Sequence, residues 1–267
     1  MGIDLWNLRF LLEAHKTYGA LGETIQMGRQ EIHLGEHEHP VADSMLREYG
    51  FDANFNQARD GGRYADEGLL QFLGATNVQS ADASAYEGAA LVHDFNDPLP
   101  VEQHQRWNTV FDGGSLEHIF NVPTALANEM NMIKIGGRLL SSLPANNWLG
   151  HGFYQFSQEL PFRTFTPANG FNLTAVMFSD MAGGWQFHDV LDQLRRAGGE
   201  IGHTSGRNGL MFMANKITHV EPFRRWPQQS DYNNEWEAFD GGPMSVIPNP
   251  PVSRRFDRLR QVFRARQ

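Results

Sequence analysis

Asn108-Thr109-Val110-Phe111-Asp112-Gly113-Gly114-Ser115-Leu116-Glu117-His118-Ile119 is the stretch on which the reading of this chain turns. Its first part, Thr109 to Asp112, has the β-branched and aromatic composition of a short buried strand. The Asp-Gly-Gly-Ser run that follows is turn sequence, since glycine adopts backbone angles closed to other residues and Asp and Ser bond their own backbone. Beyond it, Pro123–Ile133 sets Ala125, Leu126, Met130 and Ile133 at helical spacing, and Arg138–Leu143 reads as strand again. Strand, helix and strand in that order need a crossover, which predicts two neighbouring parallel strands.

Working outward, three more strands are expected before this unit: Glu23–Gly28, Asn77–Ala81 and Ala89–His93. Leu5, Leu8, Leu11 and Leu12 predict an amphipathic helix over Asp4–Lys16. Between the first two strands, Arg29 to Ala75 is polar and weakly periodic, with short helices expected at Val41–Tyr49 and Asp66–Phe72. So long a weakly structured segment reads as a functional lid or insertion. After the unit, strands are expected at Leu173–Phe178 and Leu210–Ile217, flanking a helix at Gln186–Ala197 that Gly198-Gly199 would stop. The expected fold is therefore α/β: a doubly wound, mostly parallel, seven-stranded Rossmann-like sheet with an N-terminal helix and a helical insertion after the first strand. Residues 1–242 form this domain, with the insertion at about 35–75, a Pro-rich linker at 243–252 and a basic amphipathic helix at 253–267.

Composition narrows the function. The 267 residues carry 22 basic and 31 acidic side chains, a net charge of −9, which disfavours nucleic acid as a partner. Six of the arginines fall between Ser253 and Gln267 against Asp257 alone. With Phe256, Leu259, Val262 and Phe263 at helical spacing, that segment is expected to dock on the acidic body of its own chain or of a second copy, giving a homo-oligomer. The chain has no cysteine, which excludes disulfides, thiolate metal sites and cysteine nucleophiles. No apolar run reaches the ~20 residues of a membrane span and no export signal is apparent, so a cytoplasmic location without membrane contact is expected.

In a doubly wound sheet, ligands lie beyond the carboxyl ends of the strands. The residues found there are Gly28, Asp82 with Ala83, Asp94 with Phe95, and Asp112-Gly113-Gly114-Ser115. A carboxylate after the second strand suits the two hydroxyls of a ribose, which it can accept together. An aspartate in such a place is also a common helix cap or turn former.

Asn108–Ile119, continuing through Ala125–Ile133 into Lys134-Ile135-Gly136-Gly137-Arg138-Leu139-Leu140, resembles the fourth strand, helix, basic-x-Gly-Gly turn and fifth strand of class I S-adenosylmethionine-dependent methyltransferases. The resemblance spans roughly Glu23 to Lys216 and is strongest from Val110 to Pro144. It implies S-adenosylmethionine as cofactor, with Gly28 beside its methionine portion, Asp82 and Ala83 at its ribose, and Asp94 with Phe95 at its adenine. Asp112 to Ser115 would border the sulfonium and the substrate. The family's first motif has an acid and then Gly-x-Gly-x-Gly; this chain has Gln26-Met27-Gly28-Arg29-Gln30-Glu31. In its place Arg29 could meet the cofactor's carboxylate through a two-pronged contact, or the long insertion could fold over the site and supply contacts itself.

A sulfonium donor is already activated, so transfer needs positioning and, for a hydroxyl acceptor, a base. His151, in Asn146-Asn147-Trp148-Leu149-Gly150-His151-Gly152-Phe153-Tyr154, is the expected base, with His118 and Tyr154 as further candidates. The amides and aromatics of that loop suggest a small polar metabolite, sugar-like or a biosynthetic intermediate of natural products. A second cluster, His33-Leu34-Gly35-Glu36-His37-Glu38-His39, matches no zinc spacing and reads as a solvated loop, so no metal is assigned. The leading expectation is methyl transfer to oxygen or nitrogen. The alternatives are another displacement on the same cofactor, such as cyclisation, and a cofactor-free scaffold.

Overall fold

The protein is described from a computed structural model, over residues 2–180, 187–189 and 206–229. By its contacts the chain divides into two units, residues 1–225 and 226–267. The first holds every element below. The expected linker and arginine-rich helix lie outside the described residues.

Leu5–Tyr18 forms α1, begun where Asp4 accepts a hydrogen bond from the Asn7 amide at 2.8 Å. Its buried face is Leu5, Leu8, Leu11 and Leu12, the set that its spacing predicts, extended by Trp6 and Phe10. β1 is Gly22–Met27. The segment after it contains α2 (His39–Glu48), α3 (Phe55–Ala58) and α4 (Leu69–Phe72), and leads into β2 (Ala75–Asp82). Then follow β3 (Leu91–Val92), β4 (Trp107–Asp112), α5 (Val122–Met132) and β5 (Ile133–Pro144). The order closes with α6 (Glu159–Thr164), β6 (Phe171–Asp180), β7 (Phe187–Asp189) and β8 (Asn208–Lys216).

These strands form one sheet in the order β3-β2-β1-β4-β5-β8-β6-β7. The first five are parallel, while β8 runs antiparallel to both β5 and β6. The sheet thus has eight strands rather than the expected seven. The added one, β7, pairs with the outer edge of β6 where a helix from Gln186 was expected. Strand order reverses between β1 and β4, and this switch point is where a doubly wound sheet leaves a crevice beyond its carboxyl ends.

Side chains alternate between the two faces, as the pleat requires. In β4, Phe111 joins a core built on α1, whereas Val110 joins the core beneath α5. The segment expected to be a lid belongs to the first core. Leu34, Met45, Leu46, Phe55, Leu69, Leu70 and Leu73 are all buried with α1. Most of the insertion is therefore a layer of the domain. Lys134 to Gly137 is not a turn ahead of the fifth strand but a bulge inside β5. Trp107 pairs with Ile133 and Thr109 with Arg138, and Gly136 takes φ +83° between them.

Candidate active site

The crevice is built from the ends of β1, β2 and β4. Gly28 follows β1 with φ +64°, a left-handed conformation that glycine adopts without strain, and its amide donates to the Ala81 carbonyl at 2.8 Å. Ser115 Oγ donates to the Met27 carbonyl at 2.7 Å, tying the loop after β4 to the end of β1. Asp82 accepts from the Ser84 amide through Oδ1 at 3.1 Å. Its Oδ2 points toward Gly28, 4.0 Å from where a Cβ on that residue would stand. Gly28, Asp82 and Ser115 therefore converge, as their strand-end positions anticipate.

Other expected cofactor residues are already engaged. Asp112 is fully buried and spends its carboxylate on the turn: Oδ1 accepts from the Gly114 and Ser115 amides at 2.9 and 2.6 Å. It shapes the Gly113-Gly114-Ser115 loop rather than facing a ligand. The Arg29 guanidinium lies over the Tyr64 ring at 4.1 Å and pairs with Asp66 at 3.1 Å and Glu67 at 3.0 Å. It anchors the insertion and is not free to meet a cofactor carboxylate. Gln30 fills the room beside it. Its Nε2 donates to the Met27 carbonyl at 2.7 Å, and its Oε1 would lie 2.4 Å from a Cβ on Gly113. Glycine at 113 is what lets Gln30 pack there. Ala83 is exposed, Asp94 is exposed and bonded to Asn96, and Phe95 is buried in the core beneath α5. The Asn96 hydrogen bonds hold the Asp94 carboxyl below its usual range.

A second constellation adjoins the crevice. Ser115 leads directly into a 3-10 turn, Leu116–His118. His118 is three residues from Ser115, so their Cα atoms are at most about 11 Å apart. The His118 and His151 rings meet edge to face, centroids 5.0 Å apart, although 33 positions separate them in sequence. Between them lies Glu117, whose Oε1 is 3.5 Å from His151 Nε2 and 3.8 Å from His118 Nε2. The Glu117 side chain has no exposed surface, and neither of its oxygens has a hydrogen-bond partner. The Phe153 amide donates to the Glu117 carbonyl, and a Cβ on Gly152 would stand 2.6 Å from that oxygen. The 150–153 loop thus lies directly on the Glu117 backbone, and glycine at 152 permits it.

Burial pushes the Glu117 carboxyl up to about 8, with repulsion from Asp112 adding to it. Behind it, burial raises the Glu129 carboxyl well above its ordinary value, and Asp112 reinforces the effect. Burial thus favours the protonated form of Glu129. Burial lowers both His118 and His151, so each imidazole is neutral at pH 7 with a free lone pair. Tyr154 donates its hydroxyl to the Phe120 carbonyl at 2.8 Å, an anchor between the two loops. Phe120 and Phe153, both more than half exposed, pack edge to face at 5.5 Å beside the histidines. Sequence reasoning selected His118 and His151 and missed Glu117. The one local hint was its place next to His118 in the turn after β4.

Among the described residues, Glu117, His118 and His151 are the group with three ligand atoms close enough for one metal ion, and the His33–His39 segment assembles none. No described helix is long and apolar enough to cross a membrane.

No family model matches the chain, and no curated protein matches it. Solved structures do. One is the 1,6-didemethyltoxoflavin-N1-methyltransferase of Burkholderia thailandensis bound to 1,6-didemethyltoxoflavin and S-adenosylhomocysteine. It is 14% identical, matches over 80% of this chain and 78% of its own, and has a TM-score of 0.39. The N-methyltransferase NodS of Bradyrhizobium japonicum is 8% identical over 79% of this chain and 94% of its own, with a TM-score of 0.43. A putative methyltransferase of Bacillus halodurans is 10% identical over 79% of this chain and 99% of its own, with a TM-score of 0.40. The solved structures similar to this chain thus include methyltransferases, and similarity at these values leaves the functional reading to the site itself.

Proposed function

We propose that the protein transfers the methyl group of S-adenosylmethionine to an oxygen or nitrogen of a small metabolite. The observation that carries this reading is the meeting of Gly28, Asp82 and Ser115 at the β1/β4 switch point, with His118 three residues beyond Ser115 and its ring against that of His151. The free Oδ2 of Asp82 suits the paired hydroxyls of a ribose. Gly28 presents bare backbone to whatever crosses the end of β1. On the far side, a nucleophilic oxygen or nitrogen would meet the His118–His151 face, with the exposed rings of Phe120 and Phe153 as a wall for its apolar part. In the metal-free chain, the His151 imidazole takes the acceptor's proton on its solvent-facing side. The acceptor is therefore polar at its reacting atom and planar or apolar behind it.

Calorimetric titration of the purified chain with S-adenosylmethionine and S-adenosylhomocysteine tests the cofactor. Micromolar binding that Asp82→Ala weakens at least tenfold supports it. Absence of binding up to millimolar concentration counts against both readings that use the cofactor, unless a substrate must first close the insertion over the site. With an acceptor in hand, His151→Ala should lower turnover ~10²-fold while cofactor affinity stays near wild type. Release of S-adenosylhomocysteine marks methyl transfer, whereas methylthioadenosine would mark cyclisation of the aminobutyl chain.

A further inference from the structure

We infer that Glu117, His118 and His151 bind a divalent transition-metal ion, such as zinc, manganese or iron(II), with an open coordination position toward solvent. Their ligand atoms all lie within 4.8 Å of one another, and two of the separations are 3.5 and 3.8 Å. Two ligands on one tetrahedral ion at 2.0–2.1 Å stand about 3.3 Å apart, so side-chain shifts on the order of 1 Å complete the site. Two imidazoles and one carboxylate favour a first-row transition ion over magnesium or calcium, which prefer oxygen donors.

A second observation points to the same ion. Glu117 is a fully buried carboxyl group aimed between the two imidazoles, with no hydrogen bond at either oxygen. Leaving such a group buried without a partner is unfavourable, and a cation that displaces the carboxyl proton supplies one. His151 Nε2 is likewise buried without a hydrogen bond. The frame around the cluster is fixed. Trp148 lies against His151 with centroids 5.0 Å apart, and the Phe153 amide holds the loop to the Glu117 carbonyl. Among the described residues, Asp112 acts electrostatically on Glu117, and the Arg207 guanidinium, over Trp148 at 4.8 Å, acts on His151.

The His118 side chain is 49% exposed, so the ion would be reached from solvent on its side. Three protein ligands with one side open is the pattern of a catalytic rather than a structural centre. An acceptor hydroxyl on the open position would lose its proton to solvent more readily, its electron pair remaining on the coordinated oxygen. His151 would then hold the ion instead of taking the proton. Ion binding itself does not depend on the methyl-transfer reading.

The test uses the untagged full chain, stripped with EDTA and dialysed. Zinc and cobalt(II) are titrated by calorimetry, and cobalt also by its visible absorption. One ion per chain, bound at micromolar or tighter, is expected, with at least 100-fold weaker binding in His151→Asn and in Glu117→Gln. His118→Asn serves as a second surface variant should Glu117→Gln fail to fold, and circular dichroism checks each protein. Absence of 1:1 binding below ~100 µM overturns the inference. So does binding that survives His118→Asn and His151→Asn, or that is lost instead in His37→Asn. S-adenosylmethionine is titrated into the same samples. Metal without cofactor binding refutes the methyl-transfer reading alone, and cofactor without metal binding refutes this one alone.

Discussion

Replacing Gly28 by alanine separates the cost of a side chain to the fold from its cost to a ligand. At φ +64° an alanine pays left-handed backbone strain of about 1–2 kcal/mol, partly offset by the smaller unfolded-state entropy of alanine. Its Cβ would stand 3.4 Å from Ser115 Oγ, 3.7 Å from Gln30 Nε2 and 4.0 Å from Asp82 Oδ2, all ordinary contacts. No overlap adds to the strain, and the net loss of stability is about 1 kcal/mol. For a domain of this size, that lowers Tm by roughly 2–4 °C. Under the proposed function, the same methyl group occupies the space over the end of β1 that S-adenosylmethionine would take. A tenfold or greater loss of affinity, at least ~1.4 kcal/mol, is expected in calorimetric titration. Thermal melts of the free proteins give the first quantity and titrations give the second. A Tm that falls as expected, with a Kd within twofold of wild type, would refute the placement of the cofactor against Gly28.

Lys216 is 2% exposed, donates to the Met130 carbonyl at 2.7 Å, and is pushed by burial from 10.5 down to about 8. Well below pH 8 the folded chain carries that buried charge in full. Between about pH 8 and 10.5 the unfolded chain keeps a proton the folded chain has released, so this residue's contribution to stability rises with pH, by up to ~1.4 kcal/mol per unit. Lys216→Met should therefore be more stable at pH 7 by about 2 kcal/mol after its hydrogen bond is lost, and the difference should close toward pH 10 in urea titrations. A constant difference across that range would contradict the assignment. Arg29→Ala breaks the pairs to Asp66 and Glu67 and should cost about 1 kcal/mol while leaving S-adenosylmethionine affinity within twofold; a tenfold loss would return the guanidinium to the ligand. Tyr154→Phe removes the bond to the Phe120 carbonyl and should cost about 1 kcal/mol and a few-fold in turnover with an unaltered pH profile, whereas a shifted profile would mean its hydroxyl takes part in proton transfer.

The parallel half of the sheet was legible because its strands are short apolar runs closed by Gly, Asp and Ser, and the switch point follows from their order. In the insertion, the helices expected at Val41–Tyr49 and Asp66–Phe72 are present as α2 and α4, but α3 and the burial of the whole segment were not legible. Its buried residues Met45, Phe55, Leu69 and Leu73 sit on helices of four to ten residues or beside them, too short for a 3.6-residue period to show. β7 was misread as helix because three residues at a sheet edge carry almost no pattern. At the site, the histidines declared themselves by residue type. Glu117 did not, since a glutamate beside a histidine in a turn looks solvated until Gly152 and Phe153, far along the chain, close over it. Asp112 was visible but ambiguous. Only the amides of Gly114 and Ser115 show that its oxygens are already used.

The antiparallel strand at the centre of the sheet has a consequence for how the chain is made. β5 ends at Pro144, and its partner β8 begins at Asn208, roughly 64 residues later. At 5–20 residues per second, a ribosome leaves that edge unpaired for ~3–13 s after β5 is complete. Leu139, Leu140 and Leu143 stand along it, with backbone groups able to recruit any other extended segment. The vulnerable moment in the life of this protein therefore falls during synthesis, before β8 closes the sheet, and premature truncation between Pro144 and Asn208 should yield chains that aggregate rather than fold.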